Sequence, residues 1–291
     1  MKKVLVTGAG GNVGQYIGNE LTSVGFKVAG VIRNRLPENV NYQLIKADIS
    51  EEILQIKDID VIIHIAAALS GTAKELIDNN INGTEKIIHF AEQRHVRKII
   101  YMSTVSVHGL VDGELSEKSD IINPDCYGMT KYLCECMVRE SKIPERLIIR
   151  LPRMLGPFVD LQNTQGSGFL TMVRKILYGE DVRCFIPNIK YNNYLHVSEL
   201  GKFLINLLTN GEVIENDTIL LGAKERLLMS DILWIMKSEI NSSSKIILED
   251  NGTIPKCSLV SIKKAEKYGF YPCDARSMLT RFIQEANTKC K

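Results

Sequence analysis

The chain has 291 residues, 45% apolar and 24% charged, the balance of a soluble globular protein large enough to bury a sizeable core. Its 36 basic and 34 acidic residues leave a net charge of +2, which excludes a strong nucleic-acid or acidic-membrane footprint. Seven scattered cysteines point to reduced thiols, no run reaches the ~18 apolar residues of a membrane span, and the first apolar run breaks at Gly8, too short for a secretory leader. A cytoplasmic location is expected. In chain order, Val4 to Thr7 reads as a strand, Asn12 to Gly25 as a helix and Lys27 to Ile32 as a second strand. Tyr42 to Lys46 is a short strand, Val61 to Ile65 a doubly buried one, Ala73 to His95 a helix and Lys98 to Ser103 a strand. Cys126 to Ser141 has helical spacing and Arg146 to Arg150 is again a strand. Strands without polar alternation, separated by helices, predict an α/β fold with a doubly wound parallel sheet.

Beyond Leu151 the pattern loosens. Leu155-Gly156-Pro157 breaks the chain, Gly166 to Gly179 brackets a helix, and Ser198 to Leu208 resumes helical spacing. Thr218 to Leu221 reads as a strand, and Met229 to Ile240 and Ala275 to Ala286 as helices. The expected organisation is a nucleotide-binding domain over 1–155 with later returns near 190–222, and a smaller, mostly substrate-binding lobe over 156–291.

Thr7-Gly8-Ala9-Gly10-Gly11-Asn12-Val13-Gly14 joins the first strand to the first helix. Glycines at 8, 11 and 14 permit a tight turn, close approach to a pyrophosphate and close helix–strand packing. The phosphates of a dinucleotide are then expected on the exposed amides of the helix N-terminus, around Asn12 and Val13. The end of the second strand, Val31-Ile32-Arg33-Asn34-Arg35, carries no carboxylate to bond a ribose. Arg33 and Arg35 suit a 2′-phosphate, so NADP is expected over NAD.

Tyr127 and Lys131 lie four residues apart, on one face of the helix beginning at Cys126. An ammonium beside a phenol favours the phenolate, lowers its pKa from about 10 and makes it a usable proton carrier. Taken alone, the pair reads as a solvated helix surface, and the rest of the chain has to overturn that.

With these pieces in order, the chain resembles the extended short-chain dehydrogenase/reductase family, its NAD(P)-dependent sugar epimerase/dehydratase group with a Rossmann nucleotide domain. Ala47-Asp48-Ile49 resembles the family's Asp-Φ element, which implies contact of Asp48 and Ile49 with the adenine. His64-Ile65-Ala66-Ala67-Ala68 resembles the strand end beside the cofactor, which implies Ala66 and Ala67 as cofactor contacts. Asn80-Ile81-Asn82-Gly83-Thr84 is similar to the Asn-Val-x-Gly-Thr element, which assigns Asn80 to cofactor binding through support of the active-site strand. In Ser103-Thr104-Val105-Ser106-Val107-His108-Gly109 the resemblance places the catalytic hydroxyl on Thr104. Further likenesses are Tyr194 to Leu200 and Lys263 to Pro272. The implied catalytic set is Thr104, Tyr127 and Lys131, with Lys131 also bonding the nicotinamide ribose. His64 is open between a cofactor-side and a core role, and His196 is expected to be structural.

The departures concern the substrate. Dehydratases of this group carry Asp-Glu directly after the catalytic hydroxyl, where this chain has Val105-Ser106, so dehydration is not expected. The arginines that clamp a nucleotide-sugar diphosphate are absent from Tyr191-Asn192-Asn193 and from Asn251 to Ser258. Arg153 stands where an asparagine usually meets substrate, with Arg174, Lys175 and Arg183 as other basic candidates. The expected activity is reduction or oxidation of a keto or hydroxy group, with a nucleotide-sugar epimerase as one alternative and a non-catalytic NADP-binding sensor as another. The resemblance also implies a homodimer through the helices at 73–95 and 126–141, although periodicity leaves both open to cover by their own domain. No metal is expected.

Overall fold

The computed structural model describes residues 2–51, 54–157, 167–211, 213–214, 216–250, 252 and 258–290. Gly166 and most of the stretch from Asn251 to Ser258 lie outside them. Seven short β-branched runs pair as one parallel sheet: β1 (Lys3–Thr7), β2 (Lys27–Ile32), β3 (Gln43–Lys46), β4 (Val61–His64), β5 (Lys98–Thr104), β6 (Glu145–Leu151) and β7 (Asn216–Leu220). Their spatial order is β3-β2-β1-β4-β5-β6-β7. The chain therefore runs outward from β1 to one edge, returns to β1's other side with β4, and continues to the opposite edge. That reversal opens a crevice at the carboxyl ends of β1 and β4, where doubly wound sheets hold their ligands.

Side-chain direction explains why the strands lack polar alternation. On β1, Val4 and Val6 enter one core cluster while Leu5 enters the other; on β5, Ile100 and Met102 divide from Ile99 and Tyr101 in the same way. Both faces are covered, so every position of β5 is buried. Fully burying one such side chain contributes about 1.5–3 kcal/mol, which makes these runs the principal source of the sheet's stability.

The helices are α1 (Asn12–Ser23), α2 (Ala73–Leu76), α3 (Gly83–Gln93), α4 (Cys126–Glu140), α5 (Gly168–Leu177), α6 (Val197–Thr209), α7 (Met229–Glu239), α8 (Lys263–Glu266) and α9 (Ala275–Cys290). The helix expected without interruption over 73–95 differs from the structure in one respect: Ile77–Asn82 is π-helical, between α2 and α3. Thr72 starts this segment with a capping box, its hydroxyl accepting from the Glu75 amide at 3.2 Å while the Glu75 carboxylate accepts from the Thr72 amide at 2.7 Å. The widened turn carries Asn80, whose carbonyl accepts from the Cys134 thiol at 3.2 Å. α4 begins at Asp125, whose carboxylate accepts from the Gly128 amide at 2.7 Å. Short strand pairs lie outside the main sheet, among them 153–155 with 194–196 and 182–184 with 246–248. No helix among the described residues is long and apolar enough to cross a membrane.

Candidate active site

The carboxyl ends of the strands open into a cleft of about 1130 Å³ that runs from the glycine loop to the segment after β6. At one end its wall is backbone. Gly8 holds φ at +73°, and its carbonyl accepts from the Gly11 amide at 2.9 Å. A Cβ on Gly8 would meet the Ala66 nitrogen at 2.8 Å, and one on Gly14 would lie 2.2 Å from the Gly8 carbonyl oxygen. Only glycine permits that closeness. α1 then starts at Asn12, so the N-terminal end of a helix, with its positive dipole, faces the cleft. The cradle fits a dinucleotide: it supplies amides without side chains, and the cleft continues past it in both directions.

Gly8, Gly11, Asn12, Val13, Gly14, Arg33, Asp48, Ile49, Ala66 and Ala67 all line this cleft, as do Thr104, Tyr127, Lys131 and Arg153. Asn80 does not itself line it. It is buried, with its side chain bonded to the Ala68 amide at 2.7 Å, the Ala68 carbonyl at 3.1 Å and the Thr130 hydroxyl at 3.0 Å. Asn80 thus ties the loop after β4 to α4 and supports the cleft from behind. Its neighbour Asn79 lines the cleft, exposed by the π-helical turn that periodicity does not reveal. Arg33 is already engaged, since its guanidinium donates to the Asn79 side-chain oxygen and lies 3.6 Å from the Asp48 carboxylate. Burial raises the Asp48 pKa, but the Ser50 hydroxyl and amide together with Arg33 outweigh it and hold the carboxyl below its usual value.

His64 is a buried core histidine. The Thr7 oxygen accepts from the Ile65 and Ala66 amides at 3.1 and 3.2 Å, so its own proton goes to His64 Nδ1 at 2.6 Å. His64 Nε2–H then donates to the Thr84 hydroxyl at 3.0 Å. Burial, reinforced by the Lys131 charge, pushes its pKa down to about 3. His196 is structural, as expected: its two nitrogens meet the Ser198 hydroxyl at 2.8 Å and the Glu285 carboxylate at 3.0 Å.

At the other end the cleft wall is side chains. Tyr127 and Lys131 share the inward face of α4, and Thr104 ends β5 opposite them. The Thr104 hydroxyl donates to the Ser106 hydroxyl at 3.2 Å and accepts from the Ser106 amide at 3.1 Å. The expected lowering of the tyrosine pKa is not present in this structure. Burial first, then Asp125 and Cys134, push Tyr127 up to about 12. Lys131 is fully buried with its ammonium 4.1 Å from the centre of the Tyr101 ring, and burial brings its pKa down to about 8. The ammonium is committed to the ring, and desolvation governs the phenol.

Arg153 follows β6 into the cleft, 6.0 Å from the Phe169 ring centre, with a buried Nε that has no hydrogen-bond partner among the described residues. The other basic candidates face elsewhere: Arg174 pairs with Glu180, Arg183 with Glu249, and Lys175 donates to the Asp181 carbonyl. Ser106, Tyr191 and Asn193 line the cleft without having been singled out as site residues. The signal for the last two was present, since they flank the place where the resemblance put an arginine. Asn192 between them is structural, donating to the Ala223 and Val260 carbonyls.

A family model for the NAD dependent epimerase/dehydratase family matches residues 4–222. The chain is 22% identical over 289 residues to the uncharacterized UDP-glucose epimerase YtcB of Bacillus subtilis (strain 168), across 86% of this chain and 88% of that protein. It is 30% identical over 217 residues to the dTDP-D-glucose 4,6-dehydratase of Homo sapiens, across 59% of this chain and 61% of that one. In architecture it is similar to the UDP-N-acetylglucosamine 4-epimerase of Methanobrevibacter ruminantium M1, with a TM-score of 0.84 at 21% identity, covering 99% of both chains. The UDP-glucuronic acid 4-epimerase of Bacillus cereus, solved with NAD, gives a TM-score of 0.80 at 23% identity over 99% of this chain and 100% of that one. At these identities the structural likeness speaks for the fold. The preference for NADP drawn from Arg33 and Arg35 finds no support in these relatives.

Proposed function

The chain belongs to the NAD-dependent epimerase/dehydratase family and is an enzyme of the extended short-chain dehydrogenase/reductase type; from that premise we propose that it epimerises a nucleoside-diphosphate sugar, using bound NAD. One observation carries this reading beyond the family. Among the described residues, the catalytic end of the cleft holds hydroxyls, a phenol, an ammonium and a guanidinium, and the only carboxylate lining the cleft is Asp48 at the far end. Elimination of water needs a carboxyl acid and base beside the sugar, which this wall lacks. An anionic substrate is favoured by the two cations. The relatives' activities on UDP-sugars support the choice of nucleotide sugar.

Bound NAD would supply a reversible hydride acceptor for the carbinol carbon, and epimerisation would require the hydride's return to the opposite face of that carbon. Gly8, Gly11, Asn12, Val13 and Gly14 would hold the NAD pyrophosphate, Asp48 and Ile49 its adenine end, and Ala66 and Ala67 its middle. NAD is proposed rather than NADP because Arg33 already has Asn79 and Asp48 as partners. Thr104 orients the sugar hydroxyl, Tyr127 takes the hydroxyl proton and gives it back, and Arg153 meets the substrate's negative charge. For Tyr127 to serve as base, the Lys131 ammonium would turn from the Tyr101 ring toward the phenol, where it would favour the phenolate and hold the cofactor's ribose. The lobe formed mostly by 156–291 is proposed to cover the substrate. Exposed Met129 and Leu133 on α4, with Ile77 on the π-helical turn, support a homodimer through these helices. Free Cys126, Cys134, Cys136, Cys184 and Cys273 are compatible with a cytoplasmic setting.

The test is incubation with NAD and a panel of UDP-glucose, UDP-N-acetylglucosamine and UDP-glucuronate, with products resolved by NMR. Appearance of an epimer without net change in absorbance at the reduced-nicotinamide band is expected. A second reading, reduction of a smaller carbonyl compound, is favoured by the missing arginine at 191–193. Net consumption of reduced cofactor with a carbonyl panel, and no epimer, would replace the first reading with the second. Titration of NAD and NADP against the same protein decides the cofactor.

A further inference from the structure

Behind the catalytic wall lies a buried ionic cluster that the proposed chemistry does not use. Glu135 sits on α4, one turn beyond Lys131 and two beyond Tyr127, and is fully buried. Its carboxylate accepts a fork from Arg150, Nε to Oε1 at 2.9 Å and Nη2 to Oε2 at 2.7 Å. It also accepts from the Ser103 hydroxyl at 2.5 Å and from Arg139. Arg150 lies beside Ser103 in the sheet register. The remaining arm of Arg150 is 2.7 Å from His108 Nε2. Arginine only donates, so His108 Nε2 accepts and its Nδ1–H donates to the Asp120 carbonyl at 3.1 Å.

The places this cluster touches enclose Thr104. Ser103 precedes it, and His108 ends the 3₁₀ turn, Val105–His108, that follows it. The same turn abuts α4, where a Cβ on Gly128 would lie 2.5 Å from the Ser106 carbonyl oxygen. Both flanks of the catalytic hydroxyl are therefore tied to one carboxylate on the helix that carries Tyr127 and Lys131. Burying this many charges brings little net stability over an apolar filling, so fixing a geometry is its better-supported use.

We infer that Glu135, Arg150 and His108 are positioning residues that set the distance between the Thr104 hydroxyl and the Tyr127 phenol. This inference rests on the proposed roles of Thr104 and Tyr127. Misplacement of a reacting group by about 1 Å costs on the order of 10²-fold in rate. Glu135→Gln strands a buried guanidinium and risks misfolding, so the decisive pair is His108→Leu and His108→Gln. Leucine removes the acceptor for Arg150, whereas glutamine keeps a carbonyl oxygen for it.

The full-length protein with NAD is assayed on whichever sugar of the UDP panel it epimerises. For His108→Leu, kcat is expected to fall about 10- to 100-fold, with KM and the NAD dissociation constant within about twofold, and for His108→Gln most of the rate is restored. Equal kcat in all three proteins overturns the inference, as does a leucine variant whose loss is only in the folded fraction. Amide hydrogen exchange of the NAD-bound proteins supplies a readout that needs no substrate. Faster exchange confined to 104–109 in the leucine variant supports the inference, and unchanged exchange there overturns it. If the unmodified protein turns over none of the panel, the functional reading fails while exchange still decides this one.

Discussion

The nucleotide end of the cleft is walled by backbone: Gly8, Gly14 and Ala66 approach so closely that single Cβ atoms collide with main-chain atoms. The catalytic end is walled by side chains, Thr104, Tyr127, Lys131 and Arg153, held by buried polar groups behind them. Backbone walls tolerate almost no substitution and recognise a shape that many proteins share. Side-chain walls accept substitution without loss of fold, and so they are where substrate is chosen. The two ends are expected to fail separately.

The largest effect is expected at the first wall. Gly14→Ala places a methyl 2.2 Å from the Gly8 carbonyl, and NAD affinity measured by calorimetry should fall about 100-fold or more, roughly 3 kcal/mol. Retained affinity would mean that the loop has room for a side chain. At the second wall, Arg153→Ala removes the one guanidinium that lines the catalytic end of the cleft among the described residues. KM for the nucleotide sugar should rise about 10- to 100-fold, the worth of a charge-assisted hydrogen bond, while NAD binding stays constant. A loss of NAD binding instead would place Arg153 at the wrong end.

Between the walls, His64 gives a pH effect. Its folded pKa of about 3 lies below the unfolded value of 6.5, so on acidification the unfolded chain takes up a proton that the folded one refuses. Stability is full above 6.5 and falls as pH drops toward 3, by about 2 kcal/mol between pH 7 and pH 5 from this group alone. Urea titrations of the unmodified protein and of His64→Gln, run at both pH values, measure it. The variant should lose correspondingly less, and parallel losses would show His64 to be accessible. The smallest effect belongs to Arg33, whose exposed pairing with Asp48 is worth under about 1 kcal/mol. Arg33→Ser should change NAD affinity by less than about threefold; a selective loss of NADP binding would restore the 2′-phosphate role for this arginine.

The same division decides what the sequence makes legible. Backbone walls announce themselves, since Gly8, Gly11 and Gly14 after an apolar strand imply the loop and its ligand together. Strand and helix placement followed from periodicity because both faces of the sheet are covered, and the later strand β7 was foreseen as a return. The π-helical turn at 77–82 was not legible, because a one-residue widening leaves the apolar pattern of a helix almost unaltered. Nothing in that pattern marks Asn79 as the residue of this turn that lines the cleft. The partners of Arg33 were hidden for a different reason: local sequence shows a free arginine, whereas Asp48 and Asn79 come from two other elements. The tyrosine pKa failed similarly, since Tyr101, which holds Lys131, lies on a neighbouring strand and desolvation is a property of the fold.

The most direct test is Tyr127→Phe, a variant lacking a single oxygen at the catalytic end, measured on one preparation for NAD binding by calorimetry and for epimer formation by NMR. NAD affinity is expected within about threefold of the unmodified protein, with turnover lowered by about 10²–10⁴-fold. Undiminished turnover, or NAD affinity lost in step with turnover, would contradict this expectation.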